Sequence, residues 1–83
     1  MWQIRFEKRA KKEFDNIPFQ YQKRILSILP TLQINPFVGK KMKGEFYGCY
    51  NYRIWPYRII YKIFKNVLLI VIIKIGHRQG IYK

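Results

Sequence analysis

The sequence predicts an α+β fold: two N-terminal helices packed on an antiparallel β-sheet, in the order β-α-α-β-β-β, as one domain over residues 1–83. Three observations carry this. Apolar residues recur at helical spacing only in the first half of the chain. Three runs rich in aromatic and β-branched residues follow in the second half, joined by links short enough for antiparallel hairpins. A chain of 83 residues supplies one small core, not two.

The elements follow in order. Trp2, Ile4 and Phe6 alternate with Gln3 and Arg5, the pattern of a short half-buried strand. From Glu7 to Asn16, Ala10, Phe14 and Ile17 fall at i, i+4 and i+7, a helical stripe, and Lys8, Arg9, Lys11 and Lys12 fill the rest. Glu13 and Asp15 lie near the end where the helix dipole disfavours acids, and they temper the surrounding positive charge. Pro18 opens a second helix, where its missing N–H costs nothing. Tyr21, Ile25, Ile28, Leu29 and Leu32 form its apolar stripe. Pro30 either kinks this helix or ends it a turn early, and Asn35-Pro36 closes the segment. The very short link between the helices predicts an antiparallel helical hairpin.

Phe37 to Glu45 reads as a loop with Gly39, Gly44, Lys40, Lys41 and Lys43. The three strand runs are Phe46 to Ile54, Tyr57 to Phe64 and Val67 to Ile75. The third is apolar on both faces, as an interior strand would be, so its register against the second leaves no signature. An acid at Leu69 is expected to destroy such a strand.

Net charge is +13, from 17 Lys and Arg against Glu7, Glu13, Asp15 and Glu45. From Phe46 to Lys83 there is no acid at all, while Arg53, Arg58, Lys62, Lys65, Lys74, Arg78 and Lys83 are spread among tyrosines and one histidine. A merely solvated surface mixes charge signs, so this one suits a polyanion. The longest apolar run, Val67 to Ile73, falls far short of a membrane span, and Met1 to Phe6 lacks the apolar core of a secretory signal. A cytoplasmic protein is expected. The single cysteine, Cys49, excludes an internal disulfide and a cysteine-rich zinc site, and packs as a small hydrophobe.

One pair stands out. If Trp55-Pro56 is a hairpin tip, Arg53 faces Arg58 across two strands, with Asn51 two residues away on the same face. Like charges placed opposite one another destabilise a sheet. They either splay into solvent or form a fork for phosphate oxygens, which guanidinium geometry suits.

Tyr57-Arg58-Ile59-Ile60-Tyr61, then an apolar strand, then Gly76-His77-Arg78 and a terminal Ile81-Tyr82 resemble the RelE/ParE superfamily of bacterial and archaeal toxins. The cationic first helix, the Pro-started second helix ending at Asn35-Pro36, and Lys43-Gly44 before the sheet agree. The resemblance covers essentially the whole chain and implies the fold already predicted. For the RelE-like branch it implies the toxin of a type II toxin–antitoxin pair. Such a toxin is a ribosome-dependent, metal- and cofactor-free mRNA endonuclease (mRNA interferase) that uses the ribose 2′-OH as nucleophile. The chemistry needs a base for that hydroxyl, cations for the phosphorane and an acid for the leaving oxygen.

By this resemblance Arg58 and Arg78 match phosphate-binding arginines. Tyr82 matches a C-terminal tyrosine that stacks on the substrate nucleotide, and Arg53 falls where a cation of the preceding strand contributes. Ribonuclease members often carry two lysines where this chain has Asn51 and Arg53. Arginine stays protonated, so neither is a good base. His77 serves as base or acid, or orients a neighbour by a hydrogen bond. Asn51, Lys8, Arg9, Lys11, Lys12, Lys40, Lys41 and Lys43 are candidate RNA contacts, through phosphate contacts that salt weakens, or else plain solvated positions. The resemblance implies a hetero-oligomer with an acidic antitoxin that masks the arginines, alongside ribosome and mRNA as targets. Two other readings stand beside it: a ParE-like DNA gyrase inhibitor without ribonuclease chemistry, and a small basic nucleic-acid-binding module.

Overall fold

The computed structural model describes residues 1–77. Five strands and two helices are present: β1 (Gln3–Phe6), α1 (Lys8–Asp15), α2 (Phe19–Ile34), β2 (Lys40–Lys41), β3 (Tyr50–Ile54), β4 (Tyr57–Phe64) and β5 (Leu69–His77). Short 3-10 turns lie at Pro36–Val38, Gly44–Phe46 and Lys65–Val67. The strands form one sheet in the order β1-β5-β4-β3-β2.

The expected layering holds, with two corrections. The sheet is mixed, because β1 runs parallel to β5 while the other neighbours are antiparallel. The crossover through both helices carries the chain from β1 back to the far side of the sheet, and a four-residue strand states no direction in its sequence. The segment expected to be a loop also contributes a strand: Lys40 and Lys41 pair with Asn51 and Tyr50 at the sheet edge. Two residues are too few to show an alternation.

The helices do not form a self-contained hairpin; each packs mainly on the sheet. α1 lies on β5, and α2 rests on β1 and the turn after it. α2 passes through Pro30 without a break. Pro30 and Leu26, whose carbonyl loses its donor, are both on the exposed side, where water replaces the missing bond. The fully buried core joins Ala10, Ile25 and Leu32 of the helices to Ile59, Tyr61, Ile70 and Ile72 of the sheet. Leu69 is only half-buried, at the start of β5; the positions that tolerate no charge are Ile70 and Ile72.

β5 changes phase part-way along. Ile60 pairs with Lys74 but Tyr61 with Ile72, which leaves Ile73 as a bulge. Before it Ile70 and Ile72 point at the helices; after it Ile75 does. β1 ends opposite Ile72, with the Glu7 N–H on the Ile72 carbonyl at 2.9 Å. Glu13 takes over the vacated edge. One carboxylate oxygen accepts the Ile75 N–H at 2.9 Å, and the other meets Lys74 Nζ at 3.2 Å. The acid at the wrong end of α1 therefore fastens that helix to β5.

Candidate nucleic-acid interface

The Trp55-Pro56 link fixes the β3–β4 register, with a cis bond before Pro56, and Arg53 lies opposite Arg58 as the sequence predicts. Strand alternation places both on the face away from the helices, with Asn51 and Ile60. The two arginines are not equivalent. Arg53 is exposed, whereas Arg58 is only 4% exposed. This separates the like charges: one reaches water and the other is held inside.

Asn51 does the holding. It is itself buried; its amide oxygen accepts from Arg58 Nη1 at 3.1 Å, and its amide nitrogen donates to the Lys40 carbonyl at 3.3 Å. The neutral amide orients the guanidinium without adding charge. A lysine at this position would set a second cation against a buried one, so Asn51 suits Arg58 burial. Val38, Gly39, Lys40, Asn51, Tyr52, Arg53 and Arg58 line an open cleft of about 300 Å³. Two guanidinium groups and one ammonium thus share a single hollow, the donor set that a phosphate group requires.

Gly39 sets the width of this cleft. A β-carbon there would collide with the Tyr61 hydroxyl and lie 2.9 Å from the Asn51 carbonyl oxygen. Tyr61 is buried and donates its hydroxyl to the Pro36 carbonyl at 2.7 Å. Burial pushes its phenol up to about 12, so it stays a donor at neutral pH. The pocket wall and the hydrophobic core therefore meet at one residue.

His77 lies elsewhere. It pairs with Tyr57, and alternation places both on the helix-bearing face, opposite to Arg53 and Arg58. Its ring meets Tyr57 edge-on at 5.6 Å, Tyr57 meets Tyr21 at 5.5 Å, and Arg24 lies over Tyr21 at 5.6 Å. Arg24 also donates to the Trp55 carbonyl at 3.0 Å, tying the hairpin tip to α2. Arg78 and Tyr82 lie outside the described residues.

Of the other candidate contacts, Lys40 joins the cleft, while Lys41 and Lys43 lie exposed beyond it. Lys8, Arg9, Lys11 and Lys12 are all exposed on α1, away from the cleft; Lys11 pairs with Asp15 at 2.7 Å and Arg9 with Glu13 at 3.6 Å. Glu13, Arg24, Gly39 and Tyr61 escaped the sequence reading as site-building residues. The tight Gly39 contact has a sequence trace, a glycine three residues after Pro36.

Residues 2–82 match the family profile of the ParE toxin of type II toxin-antitoxin systems, parDE. The chain belongs to that family. Within the wider RelE/ParE superfamily it is 31% identical to a Methanocaldococcus jannaschii protein named as candidate toxin RelE1, over 96% of this chain and 93% of that one. It is 27% identical to toxin RelG of Mycobacterium tuberculosis, over 96% of this chain and 94% of that one. The crystal structure of the toxin-antitoxin complex RelBE2 from Mycobacterium tuberculosis contains a chain that superposes with a TM-score of 0.85 at 25% identity, covering 93% of this chain and 98% of that one. The protein is thus a RelE/ParE superfamily toxin of a type II toxin–antitoxin system, and the mixed sheet with its two helices is the superfamily fold.

Proposed function

We propose that this toxin is a ribosome-dependent mRNA endonuclease in which the ribose 2′-OH attacks the adjacent phosphate. The observation that carries the reading is the buried Arg58, oriented by Asn51 and set opposite Arg53 in one cleft with Lys40. Burying a guanidinium does little for stability, since an apolar side chain of similar volume serves a core as well or better. Preorganised cations in a hollow are what a phosphorane transition state needs, because they require no rearrangement as charge develops. Arg58 and Arg53 supply that charge, Asn51 positions Arg58, and Arg78 and Tyr82 are proposed to complete the site from the C-terminal segment.

Among the described residues, Asn51 and the two arginines of the cleft offer no base. Asn51 does not accept a proton, the arginines do not release one, and His77 stands on the other face. In the proposed mechanism charge stabilisation carries most of the rate, and the ribosome supplies the alignment of the 2′-OH. His77 fits a positioning role on Tyr57 better than direct proton transfer. The partner is proposed to be an acidic antitoxin, in keeping with the complex in which the similar Mycobacterium tuberculosis toxin was solved.

A second reading keeps one specific support. The matching family is that of ParE toxins, and the strand carries Asn51 and Arg53 in place of two lysines, which fits a gyrase inhibitor without ribonuclease chemistry. One experiment separates the two. Purified toxin is incubated with programmed ribosomes carrying a defined mRNA, with naked mRNA, and with gyrase and supercoiled plasmid. Cleavage of the ribosome-bound message alone supports the endonuclease. Cleaved plasmid with intact message supports the gyrase reading and overturns ours.

A further inference from the structure

A second hollow of about 250 Å³ adjoins the phosphate cleft along the same sheet edge, lined by Lys41, Met42, Tyr47, Gly48, Cys49 and Tyr50. Lys40 lines the first hollow and Lys41 the second; alternation turns Lys40 to the Asn51 face and Lys41 to the Tyr50 face, so the hollows meet only around the edge strand β2. Arg53 and Cys49 are four positions apart on one chain segment, about 13 Å at the rise of a strand. A short extended run of nucleotides spans that distance.

Tyr47 is 83% exposed, more so than any other aromatic side chain among the described residues. Its turn is well braced. The Tyr47 N–H bonds the Gly44 carbonyl at 3.0 Å, Cys49 N–H bonds Phe46 at 2.9 Å, and Met42 N–H bonds Cys49 at 2.9 Å. Gly44 and Gly48 bracket it at φ +67 and +89, backbone angles that other residues resist. A rigid turn that holds a large aromatic ring out in water gains nothing in core packing. The surrounding charge is mainly positive: Lys41, Lys43 and Lys62 are exposed there, against the one acid Glu45. Lysines on an edge strand also deter pairing with other chains, but that role does not call for Tyr47.

We propose that this turn is a second nucleotide subsite, in which a base of the same single-stranded RNA stacks on Tyr47 while its backbone rounds the sheet edge past Lys41 and then Lys40 to reach the arginine cleft. The proposal rests on the RNA reading of that cleft and adds the path of the strand beyond it. Ring stacking accepts any base, so Tyr47 contributes affinity and footprint rather than sequence choice.

The test is binding of 2′-O-methyl oligouridylate, which has no free 2′-OH and stays intact. Two lengths are used: a dinucleotide confined to one hollow, and a chain of about ten nucleotides, within the range of single-strand sites. Tyr47→Ala is expected to weaken the long probe about tenfold or more, the usual loss of one stacked base, and to leave the dinucleotide unchanged. Tyr47→Phe keeps the ring and restores binding. Lys41→Ala lowers the slope of log affinity against log salt by about one, whereas Tyr47→Ala leaves that slope alone. Long-probe binding that needs Arg58 but ignores Tyr47 overturns the subsite and spares the cleft. Absence of binding by the parent protein at either length overturns both.

Discussion

The two faces of this sheet are built from the same strands and behave as different materials. The helix-bearing face carries Ile59, Tyr61, Ile70, Ile72 and Ile75 against Ala10, Ile25 and Leu32, and the Tyr61 hydroxyl and the edge clamp of Glu13 are satisfied by the backbone. The other face, one residue out of phase, carries Asn51, Arg53, Arg58 and Lys62. The first face supplies most of the folding free energy, and the second uses part of it to hold a cation away from water. A domain of this size has little to spare, since a chain this short buries only about 60% of its unfolded surface.

That division can be broken at several strengths. Ile72→Asp should have the largest effect, because an unpaired charge in the fully buried face is too costly for a small domain. No cooperative thermal transition is expected by circular dichroism; a transition like the parent's would show that the helix-bearing face does not hold the fold. Arg58→Met, on the opposite face of a neighbouring strand, should keep its melting temperature within a few degrees, since burying an apolar chain instead of a cation is often neutral. Its cleavage should fall about 10²–10³-fold, the loss for one transition-state donor. Collapse of the fold would return Arg58 to a structural role, and near-normal cleavage would remove it from the site.

Gly39→Ala probes the seam between the faces. The added methyl meets the Tyr61 hydroxyl on one side and the cleft wall on the other. It should cost about 1–3 kcal/mol, as overpacking does, and slow cleavage together with stability. A loss of stability with full activity would show that cleft and core are independent there.

The smallest effect concerns pH. The Tyr61 phenol ionises near 10 in the unfolded chain and is pushed up to about 12 in the fold by burial. The unfolded state therefore sheds this proton first. The stabilisation is complete below pH 10 and is lost as pH rises towards 12. Urea titrations across that window should show a steeper alkaline decline for the parent than for Tyr61→Phe; identical slopes would mean that Tyr61 is not sealed in the core.

The contrast between the faces was partly visible in the sequence. The Arg53–Arg58 pair was legible because a two-residue link fixes the register of a hairpin, and the pairing follows by counting. The exposure difference within that pair was not, since the hydrogen bonds of Asn51 decide it and they depend on β2 arriving from a distant segment. The phase of β5 was hidden for a related reason. Its residues are apolar on both sides, and the bulge at Ile73 moves the inward set from Ile70 and Ile72 to Ile75. Counting through an unseen bulge puts every later side chain on the wrong face, which is why the side taken by His77 was not evident. Proline rules suggested that α2 would bend or stop at Pro30, but that position faces water, where the lost bond is cheap.

Arg53 and Arg58 are proposed to act as one fork on a single phosphate. Single-turnover cleavage of ribosome-bound mRNA by Arg53→Ala, Arg58→Ala and the double variant tests it directly. The double variant is expected to lose little more than Arg58→Ala alone, because the fork is already broken. Losses that multiply, or a full rate in either single variant, would contradict it.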